Sequence, residues 1–100
     1  MAKTSAQQEP AQSSELFKYP LLPEDLRAEG ILSDGRFVKV YKLKIVYVLM
    51  AETEHPILTS ARLISLTCEV DDKRILPTDI LQMTPWDFNY LLELIHKHLS

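Results

Sequence analysis

A single cysteine, Cys68, and only two glycines, Gly30 and Gly35, occur in this 100-residue chain, and each scarcity excludes something. One thiol forms neither an intramolecular disulfide nor a cysteine-rich zinc centre. Among Leu63, Ile64, Leu66 and Val70 it reads as a small core residue, with nothing nearby to lower its pKa and make it a nucleophile. Without further glycines there is no phosphate-cradling loop. The longest apolar run, Ile45 to Ala51, is too short to cross a bilayer, and the first residues lack the apolar centre of a secretion signal. The expectation is an intracellular protein with no membrane partner. Basic residues are neither abundant nor concentrated, 11 against 14 acidic ones for a net charge of -3. Arg36, Lys39, Lys42 and Lys44 come closest to a cluster, but apolar residues interrupt them. They read as a solvated strand face followed by a helix start, and no nucleic-acid partner is expected.

What is present is the composition of one ordinary domain, 46% apolar and 25% charged, large enough for one modest core. Residues 1–15 carry no large apolar side chain beyond Met1 and are expected to form a disordered tail. A single domain is expected over 16–100. Its first part, 16–29, is aromatic and aliphatic and punctuated by Pro20 and Pro23, which predicts a packed arm with a short helix from Pro23 to Arg27 or Glu29, stopped by Gly30. Asp34-Gly35 between Ile31-Leu32 and Phe37-Val38 predicts a hairpin within 30–42. Leu43, Val46, Tyr47 and Met50 then fall at helical spacing and predict a helix over 43–54, against a rival reading as one long strand favoured by the β-branched and aromatic content.

Pro56 breaks that element. Ile57, Ala61, Ile64 and Cys68 lie on one helical stripe that Leu58, Leu63 and Leu66 widen nearly all round, as expected of a central buried helix. The alternation Ile64, Leu66, Cys68, Val70 would instead make its end a strand. After a polar turn region over 69–75, Thr78 is read as the cap of a short helix to Gln82 or Met83. Thr84, Pro85 and Asp87 then give a strong start signal: a hydroxyl cap, a proline where no amide donor is needed, and a carboxylate near the positive helix end. Phe88, Leu91, Leu92, Ile95 and Leu99 recur at helical spacing behind it, so one face is buried. The fold class is thus α+β and mostly helical, a small N-terminal β-hairpin followed by three or four short helices, with Phe88, Leu91, Leu92, Ile95, Leu99, Ile57, Ala61 and Ile64 in the core.

Glu-x-x-His occurs twice, as Glu52 with His55 and as Glu93 with His96, a spacing that on two helices would suit a carboxylate-bridged metal pair. Such a centre needs two further inward glutamates, and the remaining ones stand in the tail, the arm and the turn at Glu69. The pairs are read as surface residues and no metal or other cofactor is expected. His96, Lys97 and His98 complement the negative end of the last helix. No combination of nucleophile, base and orienting group can be assembled from the spacings, so no catalytic residue and no enzymatic activity are expected. Trp86 and Tyr90 stand four apart, off the buried stripe. With Leu94 they read as anchors for a partner, or else as the surface that Phe17, Tyr19 and Leu21 of the arm fold back to cover.

The run Asp79-Ile80-Leu81-Gln82-Met83 followed by Asp87-Phe88-Asn89-Tyr90-Leu91 resembles the C-terminal element of small tail assembly chaperones of contractile-tailed, Mu-like bacteriophages. The order of a helix over 61–70, a polar turn over 71–75, an aspartate-led short helix and a final helix opening on an aspartate-aromatic pair follows that family over 61–99. Lys42-Leu43-Lys44 stands where the family usually has a basic-proline segment. The resemblance implies a phage or prophage tail assembly protein in the bacterial cytoplasm, a chaperone that binds the tape-measure protein or a tube protein. A structural baseplate or tail-completion component is the alternative, and a small metal-binding helical protein a further one. Self-association is compatible with its exposed apolar faces.

Overall fold

The structure is a computed structural model and describes residues 17–98. The predicted tail over 1–15, with Leu16 and the predicted core residue Leu99, lies outside the described residues. Instead of a helix after Pro23 there is one 3-10 turn, Pro23–Asp25, and the chain passes at once into strand β1, Leu26–Ile31. Strand β2, Phe37–Tyr41, returns antiparallel to it. The two are joined by five residues, 32–36, in which Leu32 N–H donates to Arg36 O at 2.8 Å and Gly35 N–H to Leu32 O at 2.9 Å. Gly35 has φ +92°, the left-handed residue that such loops require and that glycine adopts without a Cβ clash. Gly30 stops no helix. It lies inside β1, where the Tyr90 hydroxyl and ring occupy the space a Cβ would need.

Helix α1, Ile45–Ala51, is shorter at both ends than the predicted 43–54, and the strand before it ends at Tyr41. Helix α2, Pro56–Thr67, starts on a proline at its first position, where a missing N–H costs nothing. The predicted central helix stops there, because the chain turns directly into strand β3, Cys68–Val70, without a loop. Thr67 Oγ1 donates back to Leu63 O at 2.9 Å, and Cys68 N–H still bonds Ile64 O from an extended conformation. Strand β4, Lys73–Arg74, completes a four-stranded antiparallel sheet in the order β1-β2-β3-β4. The expectation of a helical part over 43–99, broken only by a polar turn region, is corrected by these two strands, and the alternation ending at Cys68 and Val70 is the reading that holds for the end of α2. Their turn is Asp71-Asp72, both at positive φ (52° and 64°), with the Asp71 carboxylate accepting Phe37 N–H at 3.0 Å and the Asp72 carboxylate paired with Lys39 at 2.8 Å. Helix α3, Pro77–Ile80, is a single turn whose N-cap is Leu76, so Thr78 stands inside it and not at its cap. Helix α4, Pro85–Lys97, is capped as predicted: Thr84 Oγ1 accepts Asp87 N–H at 3.3 Å. The architecture is α+β and mostly helical.

Two cores result. Val38 and Val40 of β2, Cys68 and Val70 of β3, and Leu32 form the sheet's buried face, against Ala61 and Ile64 of α2 and Leu91 and Ile95 of α4. Alternate residues of a strand point to opposite faces, so Lys39, Tyr41 and Glu69 take the other side, where the Tyr41 hydroxyl donates to Glu69 at 2.7 Å. The second core is Tyr47 and Ala51 of α1 against Leu66 of α2, closed by Phe17 and Tyr19 of the arm. Arg74 fastens the arm there: its guanidinium lies 4.6 Å from the Phe17 ring centre and donates to Tyr19 O at 3.1 Å. Burial of that guanidinium pulls its pKa down, and stacking on an aromatic ring compensates part of the lost hydration. Central helix α2 is therefore buried on two sides, Ile64 against the sheet and Leu66 against α1, as its nearly all-round apolar sequence requires.

Candidate protein-docking groove

Not every predicted core residue lies in the core. Leu91, Ile95, Ala61 and Ile64 are buried, while Phe88 and Leu92 are half-buried and pack against that core. Ile57 is 65% exposed. It shares the stripe of Ala61 and Ile64, but as the second residue of α2 it extends past the elements that cover them. The space beside it is a groove of about 390 Å³ lined by Ile57, Leu81, Met83, Pro85 and Phe88, with the buried Ile80 as its floor. Local sequence makes this groove: α3 lasts one turn, Thr84 starts a new helix only a few residues later, and the short connection leaves the side chains between the two helices without a cover.

Trp86, at the second position of α4, is 75% exposed and is not among the residues that line this groove. It lines instead a smaller, adjoining hollow of about 220 Å³ with Asn89, Tyr90 and Glu93, and Asn89 is common to both hollows. The three predicted anchors therefore separate. Trp86 is free. Tyr90 shows one edge to the hollow, but its hydroxyl end is wedged against Gly30 of β1, and Leu94 packs on the core beside the sheet. The arm does not cover Trp86, since Phe17 and Tyr19 are committed to the second core. Sequence reasoning missed Leu81, Met83 and Ile57 as surface residues. The one signal available was that Leu81 and Met83 sit in a short segment between two prolines, Pro77 and Pro85, where no long helix could bury them.

A second apolar surface lies on α1. Ile45, Val48 and Leu49 are exposed, Ile45 by 77% and Leu49 by 67%, while Tyr47 and Ala51 on the opposite side of the same helix are buried. These three are spaced i, i+3, i+4 and form one continuous strip.

Polar chemistry is sparse by comparison. Glu52 caps the end of α1 and His55 the start of α2, both exposed, whereas Glu93 and His96 sit on the outer side of α4. Among the described residues, no three of His, Cys, Asp and Glu come together as a metal site would need. Cys68 is fully buried, and burial pushes its thiol up to about 12, far from the thiolate form that a nucleophile needs. Among the described residues no helix is long and apolar enough to cross a membrane. Comparison with family profiles, with curated proteins and with solved structures finds no match to this chain.

Proposed function

We propose that this protein works by binding another protein, as an assembly factor for a phage or prophage tail in the bacterial cytoplasm, and that it carries out no reaction. The single observation that supports this reading is the pair of open hollows that meet at Asn89 beside the start of α4, one an apolar groove and the other lined by the uncovered Trp86. Monomeric domains rarely leave a large aromatic and several aliphatic side chains contiguous on their surface, and tryptophan dominates protein interfaces out of proportion to its abundance. A groove of this shape accepts one side of an amphipathic helix, whose apolar residues at i, i+3 and i+4 would enter it beside Phe88. The tape-measure protein, which the sequence resemblance names as partner, is a coiled-coil-prone chain of the kind that offers such helices. Covering them before assembly is the chaperone's task in this reading.

Trp86 is the only tryptophan in the chain, so its emission reports on a partner that covers the hollow adjoining the groove. Titration with a helical tape-measure fragment is expected to shift that emission to the blue. Trp86→Ala is expected to weaken binding by about 2 kcal/mol, some thirtyfold, with the circular-dichroism spectrum unchanged. A titration that leaves the emission where it was, or equal affinity in Trp86→Ala, would remove this joint surface from the mechanism. Particle composition separates the two assembly roles: a chaperone is missing from purified tails, a baseplate or completion component is retained.

A further inference from the structure

Strand β1 is the first in the sheet order, and among the described residues no strand lies beyond it. Which of its backbone groups are free follows from the pairing. Leu32 N–H donates to Arg36 O, so these two are a hydrogen-bonded pair, and in the antiparallel register such pairs step by two to Gly30 with Val38 and Ala28 with Val40. Glu29 and Ile31, opposite Lys39 and Phe37, lie in the pairs between, so their N–H and C=O groups point away from β2 and out of the edge. The far side of β2 agrees, since Phe37 O accepts Asp71 N–H there and is turned to β3. Both edge residues are open, Glu29 being exposed and Ile31 64% exposed. A row of unpaired peptide groups is a template for a further strand.

This edge is short, and both of its limits are fixed. At one end the register shifts between Leu26 and Ala28, and the bulge at Arg27 takes its peptide groups out of line. At the other, Ser33 N–H is already committed to the Asp87 carboxylate. Glu29 and Ile31 remain, and the strand of the same short reach is β1 of another copy. Its possible registers are not equal. Glu29 opposite Glu29 sets like charges against each other, Glu29 opposite Arg27 uses the bulged residue, and Ile31 opposite Ile31 leaves Glu29 facing the occupied Ser33. Glu29 opposite Ile31 uses the free groups of both residues in both copies. Its axis passes Gly30, where the strands approach to about 4.5 Å and glycine has no side chain to obstruct them.

We infer that two copies join edge to edge through β1, antiparallel about a twofold axis at Gly30, with Glu29 of each opposite Ile31 of the other, so that the two four-stranded sheets become one. The contact is isologous and closes on itself, so assembly stops at the dimer. It goes beyond the partner-binding reading and does not depend on it. Tyr90 lies over Gly30 and also lines the hollow beside Trp86, so the dimer brings the two copies' hollows to one axis.

Ile31→Lys and Ile31→Glu delete the same exposed apolar side chain and differ only in the charge they set against Glu29 of the second copy. Sedimentation of the full chain is expected to show monomer and dimer and nothing larger. Ile31→Lys places opposite charges across the contact on both sides of the axis and should keep the dimer. Ile31→Glu places like charges there and should dissociate at least about tenfold more readily than Ile31→Lys. Glu29→Pro removes an outward N–H and none of the bonds to β2, so it should be monomeric with the wild-type circular-dichroism spectrum. A wild type that stays monomeric overturns the inference, as does a mass that climbs past dimer or a folded Glu29→Pro chain that dimerises like the wild type. Loss of the dimer in Ile31→Lys, or an Ile31→Glu chain that dimerises as tightly, overturns it too, whether or not Glu29→Pro folds. A monomeric wild type in which Glu29→Pro weakens binding of the tape-measure fragment would give the edge to a foreign strand instead of a second copy. Trp86 emission on titration with that fragment tests the partner-binding reading by itself, so the two fall separately.

Discussion

Asp87 does more than its position suggests. As the third residue of α4 it belongs to a capped start, with its amide on Thr84 Oγ1, but its carboxylate reaches across to the hairpin loop and accepts both Ser33 N–H at 2.9 Å and Ser33 Oγ–H at 2.8 Å. The residue is 4% exposed, so these bonds replace the water its charge would otherwise have. They tie the β1–β2 turn to the helix that carries Trp86. Removing the carboxylate leaves two donors without their acceptor in a half-buried place, and bonds to a charged group are among the stronger ones. Asp87→Ala is expected to cost about 2–3 kcal/mol in urea unfolding, and Asp87→Asn less, since one acceptor oxygen survives. Ser33→Ala in an Asp87→Ala background should add almost nothing, a coupling of about 1 kcal/mol in the double-mutant cycle. If Asp87→Ala were as mild as an ordinary surface substitution, this tie would hold nothing.

At the scale of elements, the turn between β3 and β4 is the least comfortable place in the fold. Both of its residues adopt the left-handed conformation that glycine and asparagine usually supply, and both are aspartates. The compensation is tertiary. The Asp71 carboxylate takes Phe37 N–H while Asp71 N–H donates to Phe37 O at 2.7 Å, so the turn is stitched to the neighbouring strand by two bonds. Asp71→Ala forfeits one of them and places a less tolerant residue at φ 52°, with an expected loss of about 1–2 kcal/mol, read from the thermal midpoint; Asp71→Asn, which keeps both virtues, should be near neutral. The same turn shows what could and could not be foreseen. A reversal near Asp71-Asp72 was legible from its polarity, and α4 was legible from Thr84, Pro85, Asp87 and the stripe behind them, because those signals are local. The hairpin around Asp34-Gly35 was legible too, but not the reach of β1 back to Leu26, since Arg27-Ala28-Glu29-Gly30 has little intrinsic preference for extended structure and is held by its pairing with β2 and by Tyr90 packed over Gly30. Nor was the division of the aromatic anchors. Helical spacing told which residues share a side of α4, but only the position of the sheet decides that Tyr90 and Leu94 lean on it while Trp86 does not. Ile57 failed for the matching reason, a stripe that outruns its cover.

For the molecule as a whole, the pH range in which the fold weakens follows from two groups that must stay protonated. Burial lifts the Cys68 thiol from 9.0 to about 12. Tyr41 is lifted from 10.0 to about 12, first by burial and then because its hydroxyl must keep its proton to donate to Glu69, whose negative charge opposes a second one beside it. The unfolded chain gives up these protons at the lower values and the folded chain holds them, so the folded state binds more protons throughout the interval. Stability is then fully present below pH 9 and falls as pH climbs from 9 towards 12. The thiol can account for at most about 4 kcal/mol of the fall, a large share of what a domain of this size possesses. Lys39, raised by its bond to Asp72, acts in the same sense, but at an exposed site where screening leaves it little weight. Urea midpoints measured across this interval should decline in wild type and decline less in Cys68→Ala, once each series is referred to its own value at neutral pH. A thiol reagent should leave native Cys68 untouched at pH 9 and modify it as soon as the chain unfolds, because its strand is paired on both sides within the sheet and its side chain packs in the core with α2 and α4. Rapid modification of the native protein would place that thiol at the surface, and with it the assignment of β3 to the core would fail.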